Sequence, residues 1–161
     1  MTLRGVLFPY VYRFGQPVFD RLFYHRYRRA ALSNATGRLL MLGLGPGTDL
    51  MFLPAAVTSV AAVEPVAPFR RMASKLAGRR GIAVDIVEGF GESIPFPDNS
   101  FDSVHIGLVS CSVDDVAATL REIRRVLAPG GRLVVLEHVR GEGATGRWQD
   151  AVAKPWSRLA G

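Results

Sequence analysis

The sequence LLMLGLGPGTDL, Leu39 to Leu50, is an apolar run followed by three glycines at alternate positions, Gly43, Gly45 and Gly47. Leu39 to Leu42 predict a buried parallel strand, because such strands are apolar on both faces. Glycine has no Cβ, so it permits a sharp turn and a close approach of the backbone to a ligand. A helix is expected to begin directly after the turn, with unpaired N–H groups at its first residues. Together these features predict the first unit of a nucleotide-cofactor fold.

Two common glycine motifs do not fit this turn. The dinucleotide motif G-x-G-x-x-G/A requires a small residue at the position that Thr48 occupies. The phosphate loop requires a Lys after the glycines, and none follows. The remaining pattern is G-x-G-x-G after an apolar strand, which alone is a weak indication because glycine turns also occur for purely structural reasons.

Three further segments accompany the glycine pattern and make its interpretation more specific. SVAAVEP, Ser59 to Pro65, is a second apolar strand that ends in an acid, Glu64. An acid about twenty residues after the glycine turn is placed to accept hydrogen bonds from ribose hydroxyls. The other two segments are GFGESIPFPDNSFDSVHIGLV, Gly89 to Val109, and LREIRRVLAPGGRLVVLEHV, Leu120 to Val139.

These segments, in this order, resemble the motifs of class I S-adenosylmethionine-dependent methyltransferases. The resemblance covers about Leu39 to Val139. The chain is most similar to the thiol S-methyltransferase branch called methyltransferase-like seven. That similarity lies in LVSCSV (Leu108 to Val113), REIRRVLAPGG (Arg121 to Gly131), LEHV (Leu136 to Val139) and WQDAVAKPW (Trp148 to Trp156). Quinone and phospholipid-type methyltransferases share the core motifs.

The resemblance implies a cofactor, S-adenosylmethionine, and a product, S-adenosylhomocysteine. It also implies cofactor contacts at the strand ends, by Gly43, Gly45, Gly47, Glu64, Gly91, Glu92 and Val109. His138 is the one candidate for a catalytic base, with a packed or surface histidine as the alternative. The lone cysteine, Cys111, is interpreted as a core residue, because methyl transfer from a sulfonium needs no enzyme nucleophile. No metal site is predicted.

Two positions depart from the family pattern. The family has an acid two residues before the first glycine, where this chain has Met41. The acid that recognises the adenine amino group would fall at Phe90, and Glu92 is the next candidate for that role. Nothing after Val139 has a strand pattern, so we interpret the sheet as shortened at the C-terminus. An open sheet edge favours pairing with a second chain, which predicts a homodimer.

Charge and aromatic residues concentrate at the N-terminus. The first 38 residues carry seven arginines and one acid, so the whole net charge of +6 falls there, together with all four tyrosines. We predict a basic-aromatic helical segment over residues 1–37, acting as a lid or a membrane-surface element, and a methyltransferase core over residues 38–161. Nucleic-acid binding is disfavoured, because no RNA-binding motif appears.

The remaining pattern predicts an α/β fold with a doubly wound, mostly parallel sheet, because strands and helices alternate. Ligands of such folds bind at the carboxyl ends of the strands, here at the switch point between the first and fourth strands. The predicted strands are Leu39–Leu42, Val57–Val63, Ile82–Val87, Phe101–Leu108 and Leu133–Leu136. The predicted helices are Pro17–Leu32, Asp49–Leu53, Ala67–Leu76, Val113–Leu127 and Trp148–Leu159.

The predicted function is methyl transfer to a small molecule, with a thiol as the first candidate acceptor. The alternatives are a quinone or lipid-type methyltransferase, and a cofactor-binding or scaffold protein without turnover. No signal peptide or long apolar run is recognised, which predicts a cytoplasmic protein, peripheral to a membrane if the N-terminal segment binds one.

Overall fold

A computed structural model describes residues 24–137, 142, 143 and 147. Residues 24–137 lie within one compact unit of the chain. Its strands are β1 (Gly37–Leu42), β2 (Val57–Val63), β3 (Asp85–Val87), β4 (Phe101–Gly107) and β5 (Leu127–Leu136). Its α-helices are α1 (His25–Leu32), α2 (Ala67–Arg80) and α3 (Val116–Val126), and short 3₁₀ helices span Thr48–Phe52 and Ser110–Ser112.

The five strands form one parallel sheet in the order β3-β2-β1-β4-β5. This arrangement confirms the predicted fold class, with the chain order reversing between β1 and β4. In the register of the two central strands, Leu40 lies opposite Val104 and Leu42 opposite Ile106. The loops after the strands therefore meet at one edge, as the sequence predicts for the ligand site.

The central strand β1 is buried on both faces. Leu39 and Met41 belong to the apolar cluster shared with helices α1 and α2, whereas Leu40 and Leu42 belong to the cluster shared with α3. Alternate residues of a strand point to opposite faces, so an uninterrupted apolar run is what a two-sided core requires. Met41 is 1% exposed, so packing in the core explains why this position carries an apolar side chain.

Several predicted boundaries are wrong, each for a local reason. Helix α2 was predicted to end at Leu76 but continues to Arg80. The next residue, Gly81, caps the helix with the left-handed φ of 65° that favours glycine. Helix α3 starts at Val116 rather than Val113, because Asp115 caps it by accepting the Ala118 N–H at 2.9 Å. Strand β3 is only three residues long, beginning at Asp85.

The end of helix α3 and the strand that follows differ from prediction as well. The helix ends at Val126, and Leu127 is already extended and pairs with Phe101, so β5 begins before the Pro-Gly-Gly turn. The apolar residues that recur at helical spacing in this helix are only partly on its buried face. Val116 and Leu120 are nearly half exposed, and the buried residues are Thr119, Ile123 and Val126.

Helix α1 is the described part of the predicted N-terminal helix. Tyr27 is 47% exposed, whereas Arg28 and Leu32 are buried. The buried arginine is compatible with the core because it forms an ion pair with Asp49. The helical prediction for Pro17 to Phe23 lies outside the described residues, as does the helix predicted over Trp148–Leu159. The division of the chain at residue 37 stays a prediction.

One ion-pair network fixes the loop between β3 and β4. Arg125 of α3 donates to both carboxylate oxygens of Glu122, to the carbonyls of Ile94 and Phe96, and to Asp98. Glu122 also accepts the Ile94 N–H at 2.8 Å. The hydrogen bonds from Arg125 lower the pKa of Glu122 to about 2.

We expect Glu122→Gln to lower the free energy of unfolding by about 1–2 kcal/mol near neutral pH, because charge-assisted hydrogen bonds weaken. The pKa in the folded state lies below the ordinary value of 4.5, so the stabilisation is complete above that value and disappears as pH falls towards 2. Chemical denaturation across this pH range measures the effect. Asp85→Asn, at an exposed carboxylate, is the control, and a difference between Glu122 variant and wild type that does not change with pH would contradict the assignment.

Candidate functional site

The three glycines of the turn all have positive φ, but for different reasons. A Cβ on Gly43 would approach Val109 Cγ2 at 2.5 Å, and one on Gly47 would approach Ala73 Cα at 3.0 Å. These two glycines are therefore required by packing inside the protein. A Cβ on Gly45 would have no atom within 4 Å. Gly45 thus presents open backbone, the condition that a closely approaching ligand needs.

Glu64, at the end of β2, holds this turn in place. Its Oε2 accepts the Gly45 N–H and its Oε1 accepts the Val66 N–H, each at 2.8 Å. Glu64 is only 4% exposed. Burial raises the pKa of Glu64, and the hydrogen bonds from Val66 and Gly45 and the charge of Arg70 offset this only in part. Each carboxylate oxygen has a second acceptor position, so ribose hydroxyls remain compatible with these bonds.

Glu137 has the same role for the loop after β4. One of its oxygens, Oε1, accepts the N–H groups of Val109 and Ser110 and the Ser110 hydroxyl, at 2.9 to 3.0 Å. Val109, a predicted cofactor contact, is thereby held beside Gly43. Glu137 was not predicted, although an acid directly after the fifth strand in LEHV was a usable indication. The structure brings together Gly43, Gly45, Glu64 and Val109. The position of Val109 is explained by its hydrogen bond to Glu137.

The predicted residues of the loop after β3 have structural partners. A Cβ on Gly91 would approach Thr119 Cγ2 at 2.9 Å, so this glycine allows the loop to pack on α3. Glu92 Oε1 accepts the N–H groups of Asp114 and Asp115 at 2.8 and 3.2 Å. Hydrogen bonds from its own N–H and from those of Asp115 and Asp114 lower the pKa of Glu92. Phe90 is 64% exposed. Cofactor contact by Gly91 and Glu92 stays a prediction.

A buried polar network lies directly after the glycine turn and was not predicted. Asp49 Oδ1 accepts a hydrogen bond from Arg28 Nη1 at 2.6 Å, and Asp49 Oδ2 lies 3.1 Å from His105 Nε2. The three residues are 8%, 3% and 1% exposed, in that order. The sequence pattern gave no indication that His105 lies close to the turn.

The structure does not describe the side chains of two residues that the sequence singled out, His138 and Cys111. His138, the candidate base, lies outside the described residues, and the side chain of Cys111 is likewise not described. Among the residues that the structure describes, no three His, Cys, Asp or Glu side chains are grouped to hold a metal ion. Within the same residues, no helix is both long enough and apolar enough to cross a membrane.

The candidate site lies at the carboxyl ends of the parallel strands, with open backbone at Gly45 and carboxylates at Glu64 and Glu137. Carboxylates are acceptors only, so they favour ligands with hydroxyl or ammonium donors. Backbone placed by buried hydrogen bonds is also pre-organised for binding. The geometry suits a nucleoside-type ligand lying across β1 and β4.

The fold and this edge define a class I methyltransferase type of domain, and comparison with known proteins agrees. The family model described as "Methyltransferase domain" matches residues 40–135. The chain therefore belongs to the methyltransferase domain family.

Two curated relatives support the same placement, and a solved structure shares the fold. Over 118 residues the chain is 38% identical to the demethylmenaquinone methyltransferase of Thermus thermophilus, covering 70% of this chain and 54% of that protein. It is 34% identical over 127 residues to the thiol S-methyltransferase TMT1B of Rattus norvegicus, covering 75% and 51%. The crystal structure of the YcgJ protein from Bacillus subtilis has a TM-score of 0.67 at 24% identity, covering 84% and 64%. The chain thus spans about half the length of these two curated relatives.

We expect Gly45→Ala to cost about 1–2 kcal/mol of stability, because only the left-handed backbone is strained. Gly43→Ala should cost about 1–3 kcal/mol more, because its Cβ also collides with Val109. Thermal and chemical denaturation measure both. Adding Val109→Ala to Gly43→Ala should recover part of the loss but leave Gly45→Ala unchanged. Equal costs for the two glycine variants would contradict this assignment.

Proposed function

We propose that this protein is an S-adenosylmethionine-dependent methyltransferase that acts on a small molecule. The observation that carries the proposal is the glycine turn at the β1–β4 switch point, with open backbone at Gly45 and the Glu64 carboxylate fixed beside it. Membership of the methyltransferase domain family supports the same function. The sequence resemblance named the same cofactor from the same residues.

The residues at this edge fit the proposed cofactor. Gly45 has room on its open side for the amino-acid end of S-adenosylmethionine, and Glu64 has free acceptor positions for its ribose hydroxyls. When bound, the cofactor would supply an electrophilic methyl group on a sulfonium. The exposed Phe90 ring offers an apolar surface for the adenine, with Glu92 as the nearby acid.

The protein's own contribution to the reaction is positioning. Methyl transfer is an in-line displacement, so holding the acceptor and the methyl donor in line supplies much of the rate increase. Glu64 fixes the turn, and Glu137 fixes the backbone of Val109 and Ser110 on the neighbouring strand end. Closing the edge against water would favour the reaction of a thiolate with a sulfonium, because the two charges cancel.

A thiol is the acceptor that we propose first. A few per cent of a thiol is thiolate near neutral pH, so no general base is required. The similarity to TMT1B, a protein named as a thiol S-methyltransferase, supports this choice. A quinone-type carbon acceptor is the second candidate, supported by the 38% identity to the demethylmenaquinone methyltransferase. Such an acceptor needs a base, and His138 is the proposed one.

The finer predictions about partners are also proposals. Strand β5 is an edge of the described sheet, and its Leu133 and Val135 are 36% and 49% exposed. An exposed apolar edge is suited to pairing with a second copy of the chain, which supports the homodimer. Membrane-surface contact by the first 37 residues rests on their arginines and aromatic residues alone, and a cytoplasmic location rests on the sequence alone.

Calorimetric titration is expected to give roughly micromolar Kd values for S-adenosylmethionine and S-adenosylhomocysteine and no binding of NAD. Glu64→Ala should abolish binding, because the turn loses its anchor and the ribose its acceptor. Asp85→Asn, at an exposed carboxylate of the outer strand β3, should bind like wild type. An unchanged Kd in Glu64→Ala would contradict the site.

The pH dependence of the same titration is a second expectation. The pKa of Glu64 is raised above 4.5, so binding should weaken with falling pH before pH 4.5 is reached, because the protonated carboxyl accepts fewer hydrogen bonds. Glu64→Gln should bind weakly at every pH and lose this dependence. A wild-type profile that stays flat down to pH 4.5 would show that Glu64 does not bind the cofactor through its ionised form.

Methyl transfer to a panel of small thiols and a demethylmenaquinone analogue distinguishes the two acceptor candidates. We expect turnover with a thiol and full retention of it in His138→Ala. Turnover restricted to the quinone analogue, and lost in His138→Ala, would favour the second candidate. Cofactor binding without any turnover would instead support a scaffold function.

A further inference from the structure

We propose that Arg28, Asp49 and His105 form a positioning network that fixes the glycine turn for cofactor binding and couples helix α1 to it. The proposal rests on the proposed function, because the property it affects is cofactor affinity. None of the three residues is proposed to contact the cofactor. They act through Asp49, which follows the turn by two residues.

Both oxygens of the Asp49 carboxylate are used within the network. Oδ1 accepts from Arg28 of helix α1 at 2.6 Å, and Oδ2 faces His105 of strand β4 at 3.1 Å. Asp49 belongs to the 3₁₀ helix that continues the turn, where the Leu50 N–H donates to the Gly47 carbonyl at 3.0 Å. The carboxylate therefore connects three elements, and one of them is the candidate cofactor turn.

The hydrogen bonds of the histidine follow from its two neighbours. His105 Nδ1 lies 3.2 Å from the Val134 carbonyl, and its Nε2 lies 3.1 Å from the Asp49 carboxylate. A carboxylate only accepts hydrogen bonds, so the contact with Asp49 requires an N–H on Nε2. Asp49 then has a donor on each side, Arg28 and His105.

The charge state of Asp49 agrees with this geometry. Burial alone would raise the pKa of Asp49, but the hydrogen bond from His105 and the charge of Arg28 outweigh burial and hold the pKa below its ordinary value. An ionised carboxylate between two donors cannot rotate without losing one of them. The orientation of Asp49, and hence of the backbone after Gly47, is thereby fixed.

The network also lies at the functional edge of the sheet. A Cβ on Gly107, at the end of β4, would lie 2.8 Å from both Asp49 Oδ2 and His105 Nε2. The Asp49–His105 pair therefore packs against the carboxyl end of β4, where the chain order reverses. A displacement of this pair would move the residues on which the glycine turn rests.

Energetics favour a role in positioning over one in stability. Taking charges out of water costs several kcal/mol per ion, so buried ion pairs often contribute little net stability compared with apolar residues of similar size. Replacing Arg28 and Asp49 together by apolar residues should therefore preserve the fold. The same replacement removes the directional bonds that orient the turn.

The test compares Arg28→Met/Asp49→Leu with Arg38→Met/Asp102→Leu in the full chain. Arg38 and Asp102 form an exposed ion pair on β1 and β4, at the opposite end of the same strands. Titration with S-adenosylhomocysteine and thermal denaturation are measured on both variants. We expect the first variant to weaken binding by about tenfold or more with little loss of Tm, and the second to leave Kd within about twofold of wild type.

Arg28→Lys is the second variant, in case the double substitution prevents folding. Lysine keeps the charge but not the planar fork of arginine, so binding should weaken severalfold while Tm stays close to wild type. Nitrogen-15 NMR of the His105 ring gives a readout independent of the cofactor. We expect an N–H on Nε2 in wild type and a change in its chemical shift in Asp49→Asn, because that substitution alters the acceptor.

If both Arg28→Met/Asp49→Leu and Arg28→Lys bind S-adenosylhomocysteine as tightly as wild type, the network proposal is overturned and the proposed function stays intact. A His105 ring without an N–H on Nε2 in wild type would overturn it as well. Failure of the wild-type protein to bind S-adenosylhomocysteine would overturn the proposed function, and with it the coupling to cofactor affinity.

Discussion

The hydrogen bond between the Glu64 carboxylate and the Gly45 N–H is the interaction on which the candidate site depends. It joins the loop after β1 to the end of β2, at the turn glycine whose backbone is open. Strand β1 is buried on both faces, so its end cannot shift to accommodate a ligand. The position of the site is therefore set by the strands, and the Glu64 hydrogen bond fixes the loop that carries Gly45.

The same device recurs around the carboxyl edge of the sheet. Glu137 accepts backbone N–H groups after β4 and Glu92 accepts them before α3, whereas Asp49 accepts from the side chain of Arg28. A carboxylate is well suited to this task, since one oxygen accepts several donors at once. The net charge of +6 gives no indication of the site, because it reflects an excess of basic residues, whereas the loops of the site are held by acids. Our interpretation is that these acids pre-organise loops first, and that Glu64 also has acceptor positions left for a ligand.

Much of the fold could be predicted because it depends on local patterns. The uninterrupted apolar run of β1, the alternation of strands and helices, and the glycine turn each follow from the sequence alone. The boundaries could not, because the sequence offers more than one possible cap. Helix α2 runs to Arg80 and is capped by Gly81, and Asp115 rather than a residue near Val113 caps the start of helix α3. Those choices are made by local capping geometry.

The site was predicted in part for the same reason. Gly45 and Glu64 carry a local pattern, a turn and an acid at a fixed distance along the chain. Glu137 and the Arg28–Asp49–His105 network are contacts between residues far apart in sequence, and no spacing rule indicates them. Packing also explains Gly43, Gly47 and Gly91, for which the sequence pattern alone suggested ligand contact.

A crystal structure with S-adenosylhomocysteine is the most direct test of the central claim. We expect the ligand over the open side of Gly45, with its ribose hydroxyls donating to Glu64 and the Glu64–Gly45 hydrogen bond retained. A ligand bound elsewhere on the protein, or at this edge with Glu64 still bonded only to Gly45 and Val66, would contradict it.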